Sequence, residues 1–208
     1  MKYHMVLMPG DSLYVPPNWV MMRMTESSNY SMAMRYLFEV SNQTDFKPNP
    51  TPPLRYALPP TLKRFHSHCV RQVPAKIEGM LRDWPALHKW KDPSYFNFYF
   101  VKMGKDSKVS KTLGVALQDE NVVVPDSLHC WESLRGDIEP HPSVLHHVQV
   151  SDIKMQVDKS SNVRNKPTKF CHHTLVCQVV GVCHYLMFFQ ISKPKCKPKR
   201  SQTQWERT

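Results

Sequence analysis

Glycine is scarce here, and any apolar run long enough to cross a membrane as a helix is missing. Six glycines stand against eighteen prolines in 208 residues, a balance that favours many loops and few long uninterrupted elements. There is no internal repeat, and no low-complexity tract beyond a short Lys-Pro run. No cysteine pair has the C-x-x-C form, which removes the paired spacing that structural zinc sites use. No signal-peptide pattern opens the chain, because Met1 runs straight into strand-like sequence. The six cysteines, Cys69, Cys130, Cys171, Cys177, Cys183 and Cys196, are therefore expected as free thiols in a reducing intracellular compartment, nucleus or cytoplasm. The longest apolar run, "LVCQVVGVCHYLMFFQI", holds about 17 residues, with Gln178 and His184 inside it. A spanning helix needs ~20, so a membrane anchor is not expected, and the β-branched content fits a buried strand better. One further absence matters below: no histidine in the chain is followed two residues later by Asp or Glu.

What is present suits a folded protein. Hydrophobic residues make up 41%, an ordinary globular share, and the length allows one domain with a tail or two small units. The formal charge of +11 is unevenly spread. Residues 151–208 carry 11 basic and 3 acidic side chains, a net +8, leaving 17 basic and 14 acidic, only +3, in the first 150. The body is near neutral and the tail is basic. A run such as "KPKCKPKR" can contact RNA, DNA or anionic lipid, or act as a nuclear import signal, or simply be solvated.

Along the chain, "HMVL" and "SLYV" flank "MPGD", whose Pro-Gly pair turns the chain between two strands. "SMAMRYLFEV" reads as a third strand or a mixed segment. Residues 41–60 are proline-rich and read as a linker. In "TLKRFHSHCV", Thr61 can cap a short helix that places Leu62, Phe65 and Cys69 on one face. "PAKIEGM" reads as a strand closed by Gly79. Asp83 is a plausible cap for a helical turn that would bury Trp84 and Trp90. "SYFNFYFV", with Tyr95, Phe96, Phe98, Tyr99 and Phe100, suggests an aromatic strand or bent segment. Its rings suit core packing better than base stacking. Beyond Val101 the pattern decays, with one strand expected at Asn121–Val124.

Two stretches resemble a known family. "VLMPGDSLYVPPNWVMM" resembles the closing part of the JmjC, or cupin-like, iron(II)- and 2-oxoglutarate-dependent oxygenases, through Pro9, Gly10, Asp11, Leu13, Tyr14, Val15, Pro16 and Trp19. "TLKRFHSHCVRQVPAKIEGMLRDWPALHKW" is similar to that family's entry segment, through Pro74, Ile77, Gly79, Asp83, Trp84, Pro85, Ala86 and Trp90. The resemblance spans residues 4–39 and 61–95, with the closing segment first. A tandem protein, a circular permutation and a mis-joined gene product would each give that order. The resemblance implies a mainly β fold with short helices: partial cupin-like (double-stranded β-helix, jelly-roll) pieces and an irregular basic C-terminal half. The expected divisions are 1–40 as the end of one such domain, 41–60 as linker, 61–100 as the start of another, and 101–208 as poorly patterned sequence.

The chemistry implied by the resemblance needs a two-histidine, one-carboxylate triad, leaving iron positions open for 2-oxoglutarate and oxygen. Its first two ligands come as H-x-D or H-x-E, which this chain lacks. Met21 stands at the third-ligand position, and a thioether is a poor substitute for imidazole on ferrous iron. The expectation is a fragment or non-catalytic relative with no catalytic or metal residues. It would keep the turn and packing residues Gly10, Asp11, Tyr14, Pro16, Trp19, Gly79, Trp84, Pro85 and Trp90 and take up neither Fe(II) nor 2-oxoglutarate in isolation. Its partner would be the rest of its own domain or a second copy. The alternatives are a piece of a larger active oxygenase, and a basic nucleic-acid-binding or scaffold protein acting through its tail. The group Cys171, His172, His173, Cys177, Cys183 and His184 has metal-capable residues at a spacing that fits no zinc pattern. His141, His146 and His147 form a loose cluster, and Asp137 and Glu139 lie near it.

Overall fold

The computed structural model describes residues 2–26, 30–40, 51–102, 110–119, 131–146, 148–159 and 167–189. The basic run at 193–200, the strand expected at Asn121–Val124, His147, Cys130 and Cys196 lie outside these. The chain is mainly β with short helices. Its strands are β1 (Lys2–Leu7), β2 (Ser12–Val15), β3 (Trp19–Thr25), β4 (Tyr30–Glu39), β5 (Leu54–Tyr56), β6 (Ala75–Ile77), β7 (Phe100–Lys102), β8 (Ser110–Thr112), β9 (Gln149–Lys159), β10 (Thr168–Lys169), β11 (His173–Val180) and β12 (Cys183–Phe189). The helices are α1 (Leu62–Arg71), α2 (Ala86–Lys89) and α3 (Leu113–Gln118).

Two sheets form the frame. One has the order β1-β12-β3-β10, the other β5-β6-β2-β11-β4-β9, and β7 and β8 make a separate pair. Period-two alternation sends β-strand side chains to opposite faces, and the larger sheet uses both of its faces. Leu13, Val15, Ala33 and Val176 point inward and meet Met5, Leu7, Trp19, Met21, Cys183, Tyr185 and Met187 of the smaller sheet. The opposite face carries Tyr14, Met32, Met34, Tyr36, Phe38, Leu175, Cys177 and Val179. It packs under Phe65 and Cys69 of α1, Trp84, Trp90, and Leu113 and Ala116 of α3. The result is three layers: small sheet, large sheet, helices.

The second half is not irregular where it is described. β11 and β12 are joined by a turn at Gly181 (φ 74°) but lie in different sheets and do not pair with each other. β11 inserts between β2 and β4, and β12 between β1 and β3, all antiparallel. Every residue of β11 is buried, so it reads as a continuous apolar run rather than an alternating one. That is why the apolar run suggested a single buried strand and not two strands that cross from one sheet to the other. β9, an edge strand on β4, carries the mixed sequence "QVSDIKMQVDK", whose polar side chains hide its period. The two family-like stretches share one sheet: β6, from the second, pairs with β2, from the first, with Ser12 opposite Ile77.

Several local expectations hold. The Thr61 side chain accepts a hydrogen bond from the Arg64 backbone N–H and caps α1. Gly79 closes the β6 segment at φ 62°, and β4 is a full strand. Others need correction. Pro85, not Asp83, occupies the N-cap of α2, and no side chain caps it; Asp83 sits exposed beside Arg82. The aromatic stretch begins as a 3-10 helix at Pro93–Phe96, capped by Asp92. Proline at its start fixes a helical φ and withholds a ladder donor. Phe96 is core, whereas Phe98 and Phe100 are exposed. Within the proline-rich 41–60 segment, Leu54–Tyr56 forms a short parallel strand on β6.

Candidate functional site

The site implied by the resemblance lies between the sheets, at Met21. Gly10 (φ 98°) turns the chain from β1 into β2, and its N–H donates to the Gln178 carbonyl at 2.9 Å. The buried Asp11 carboxylate accepts from the Met8 N–H at 3.1 Å and pairs with Lys76 at 3.0 Å. Pro16 ends β2, and Asn18, in the left-handed region at φ 68°, donates its N–H to the Phe170 carbonyl. That turn points Trp19, Met21 and Arg23 into the interior. Trp19 is fully buried between Tyr3 (5.9 Å) and Phe189 (5.7 Å).

Met21 is buried within the apolar cluster. Its backbone neighbours are Met187 of β12 on one side and Thr168 of β10 on the other. Among the described residues, neither of these two strands offers an H-x-D or H-x-E beside it. β10 and the residue after it present Thr168, Lys169 and Phe170, and β12 sends Tyr185 and Met187 inward. Thioether, hydroxyl and phenyl groups make no ligand set for ferrous iron. The residues present do not fit that metal.

The other end of the interior is polar. Arg23 donates to the Ser31 hydroxyl at 2.8 Å and pairs with Asp158. Burial alone would ease deprotonation of Arg23, but the acidic groups around it, Tyr185, Cys183 and the ionised Asp158, more than offset that and keep the guanidinium charged. Arg35 stacks over the Phe170 ring at 5.0 Å. The Tyr185 hydroxyl donates to Gln178 Oε1 at 3.2 Å, and Gln178 Nε2 donates to the Val180 carbonyl at 2.7 Å, stapling the turn from β11 to β12. The sequence reading missed these residues. Their signal was the alternation Trp19-Met21-Arg23 and Ser31-Ala33-Arg35, which sends arginines to the same side as core residues.

The remaining retained positions serve packing. Tyr14 is fully buried on the helical side of the large sheet, edge-on to Phe65 at 5.3 Å, and hydrogen-bonded to His173 Nδ1 at 2.7 Å. Trp84 Nε1 donates to the Pro140 carbonyl at 2.7 Å. Asp137 gathers Trp90 Nε1 at 3.0 Å, Lys89 Nζ at 2.7 Å and the Tyr95 hydroxyl at 2.6 Å. Burial pushes the Asp137 carboxyl up, but these three donors more than offset it and hold it below the usual range. Asp137 is thus a structural hub rather than a partner for His141, whose ring meets Tyr36 at 5.9 Å. Glu139 pairs with Arg135 at 3.0 Å.

Tyr14, His173 and Cys69 come together as a cysteine–histidine–tyrosine group and invite a catalytic reading. Proton affinities argue against it. Burial pushes the Cys69 thiol up to about 12 and pulls His173 down to about 4, so thiol and imidazole are both neutral, and the nucleophilic thiolate is absent. A cleft of about 280 Å³, lined by Leu62, Lys63, Phe65, His66, Cys69 and Val148, opens beside this group along α1.

The Cys/His-rich stretch is dispersed. His173 and Cys177 face the helices, Cys183 lies between the sheets with Ser31 at 2.9 Å, and His184 is on the solvent side of the small sheet. Cys69, Cys177 and Cys183 are buried thiols outside any disulfide; Cys171 is disulfide-bonded, which departs from the all-thiol expectation. Among the described residues, no group of three or more His, Cys, Asp or Glu side chains is placed to hold a metal ion, and no helix is long and apolar enough to cross a membrane. Compared with known proteins, the chain matches no family model, no curated protein and no solved structure.

Proposed function

We propose that this chain is a non-catalytic relative of the JmjC-type 2-oxoglutarate oxygenases, a β scaffold whose interior is packed where the family carries its iron. The observation that carries this reading is the setting of Met21: buried, flanked by Met187 and Thr168, with Phe170 in the same apolar cluster. The sharing of one sheet by the two family-like stretches favours a single rearranged domain over the joined ends of two. The buried Arg23 brings positive charge to the interior, and Asp158 engages it, so that charge is internally balanced.

The test is a thermal melt of the full chain with and without Fe(II), or Mn(II) as its redox-inert stand-in, plus 2-oxoglutarate. Ligand that binds only the folded state raises the midpoint by mass action. A cooperative melt that neither metal nor co-substrate moves is the expected result. A midpoint that rises only when both are present would overturn the proposal and return the chain to the enzymes. Absence of a cooperative transition would favour the alternative of a piece that needs the rest of an oxygenase domain.

A further inference from the structure

On the solvent side of the small sheet, away from the interior, two imidazoles meet. β1 and β12 are paired with Val6 opposite His184 and His4 opposite Leu186, so His4 and His184 are diagonal neighbours on one face. Their rings are nearly parallel, 15° apart, with centroids at 5.1 Å. His4 Nε2 lies 3.0 Å from His184 Nδ1, and His184 Nε2 lies 2.7 Å from Glu26 Oε2, just past the end of β3. We propose that His4 and His184 form a two-imidazole clamp for a divalent transition-metal ion, Cu2+, Ni2+ or Zn2+, with Glu26 as the group that orients His184.

The Glu26 contact orients the ring of His184. An ionised carboxylate only accepts, so His184 donates from Nε2, and in the neutral ring Nδ1 is then a bare lone pair. Without metal, His4 satisfies that lone pair by donating its own Nε2–H. When the His4 proton moves to its Nδ1, two lone pairs face each other 3.0 Å apart. That spacing matches the ~2.9 Å between two cis ligands each ~2.0–2.1 Å from a metal, and turning both rings off the nitrogen–nitrogen line admits the ion. The exchange is proton-neutral, since His4 keeps one ring proton and only its position changes. Glu26 then plays the part of the carboxylate that commonly accepts the second ring proton of a metal-bound histidine. Both ligands sit on hydrogen-bonded strands, so little order is lost on binding, and water completes the coordination. Imidazole is a good ligand for all three ions.

The experiment is calorimetric titration of the untagged full chain with NiCl2 and ZnCl2, with Cu2+ electron paramagnetic resonance as a second readout. Wild-type protein should bind one equivalent through this face. His4→Gln and His184→Gln should each weaken it at least tenfold. Glu26→Gln should weaken it about tenfold, the size of a lost orienting partner. His172→Gln should leave it unchanged. Bound Cu2+ should show two equatorial nitrogens in the wild type and one in either histidine variant, a readout that needs only one of the two variants to fold. Absence of saturable binding by the wild type, or titrations and spectra unchanged by His4→Gln and His184→Gln, would overturn the assignment.

Discussion

The buried His173 shows how one side chain can make the whole fold depend on pH. Burial is the largest cause of its depressed proton affinity, and the nearby His172 and His66 add like charge. The folded state holds it neutral down to about 4, whereas the unfolded chain takes up that proton below about 6.5. Between these values the unfolded state binds more protons, so its contribution is complete above pH ~6.5 and declines as pH falls, by about 3 kcal/mol at most. Urea unfolding measured from pH 7 to 4 should show this decline. His173→Gln should be less stable at pH 7, because Tyr14 loses its native partner, but flatter across the window. His68 and His141, also held down by burial, contribute a residual slope common to both proteins. An equal slope in the variant would show that His173 is not the group responsible. Nothing in the sequence announced this residue's setting: in "CHHTL" two adjacent histidines are chemically alike, and only β11 decides that His173 faces Tyr14.

Elements were legible where local chemistry determines them. The Pro-Gly turn, the Thr61 cap and the Gly79 stop depend on backbone preferences within a few residues, and all appear where the sequence places them. At Gly10 an added methyl would meet only Leu87 Cδ1 at 3.9 Å, an ordinary contact, so the demand for glycine comes from φ 98° rather than crowding. Gly10→Ala should therefore cost about 1–3 kcal/mol through the backbone alone, read as a lower urea midpoint with an unchanged slope. A variant as stable as the wild type would mean that the turn has another conformation within easy reach. Elements were illegible where tertiary pairing decides them. The three-residue strands β5 and β6 carry no period of their own. Asp137 joins Lys89, Trp90 and Tyr95 from more than 40 residues away, which no local pattern encodes. The neighbours of Met21, Thr168 and Phe170, stand about 150 residues later, and only strand pairing brings them alongside.

At the scale of the whole molecule, strand order controls how the chain can fold. β1 and β3 do not pair with each other, nor do β2 and β4; each gap is filled by one of the two C-terminal strands, β12 and β11. The N-terminal 100 residues alone would leave both gaps as unpaired edges, prone to association. The contacts that close them span more than 130 residues, so loop closure must come before most of the sheet's stabilisation. Three outcomes follow from this one topology. A chain of residues 1–100 should show no cooperative unfolding and should self-associate. A second chain carrying residues 148–190, mixed with it during refolding, should restore a cooperative transition by supplying β9 to β12. In the intact protein, amides of β11, hydrogen-bonded on both sides and buried along its full length, should exchange only through global opening, whereas those of the edge strand β5 exchange through local opening. If residues 1–100 unfold cooperatively as a monomer, β11 and β12 are an addition to a domain that stands without them. The early strands would then owe their order to contacts other than the ones that hold the two sheets together here.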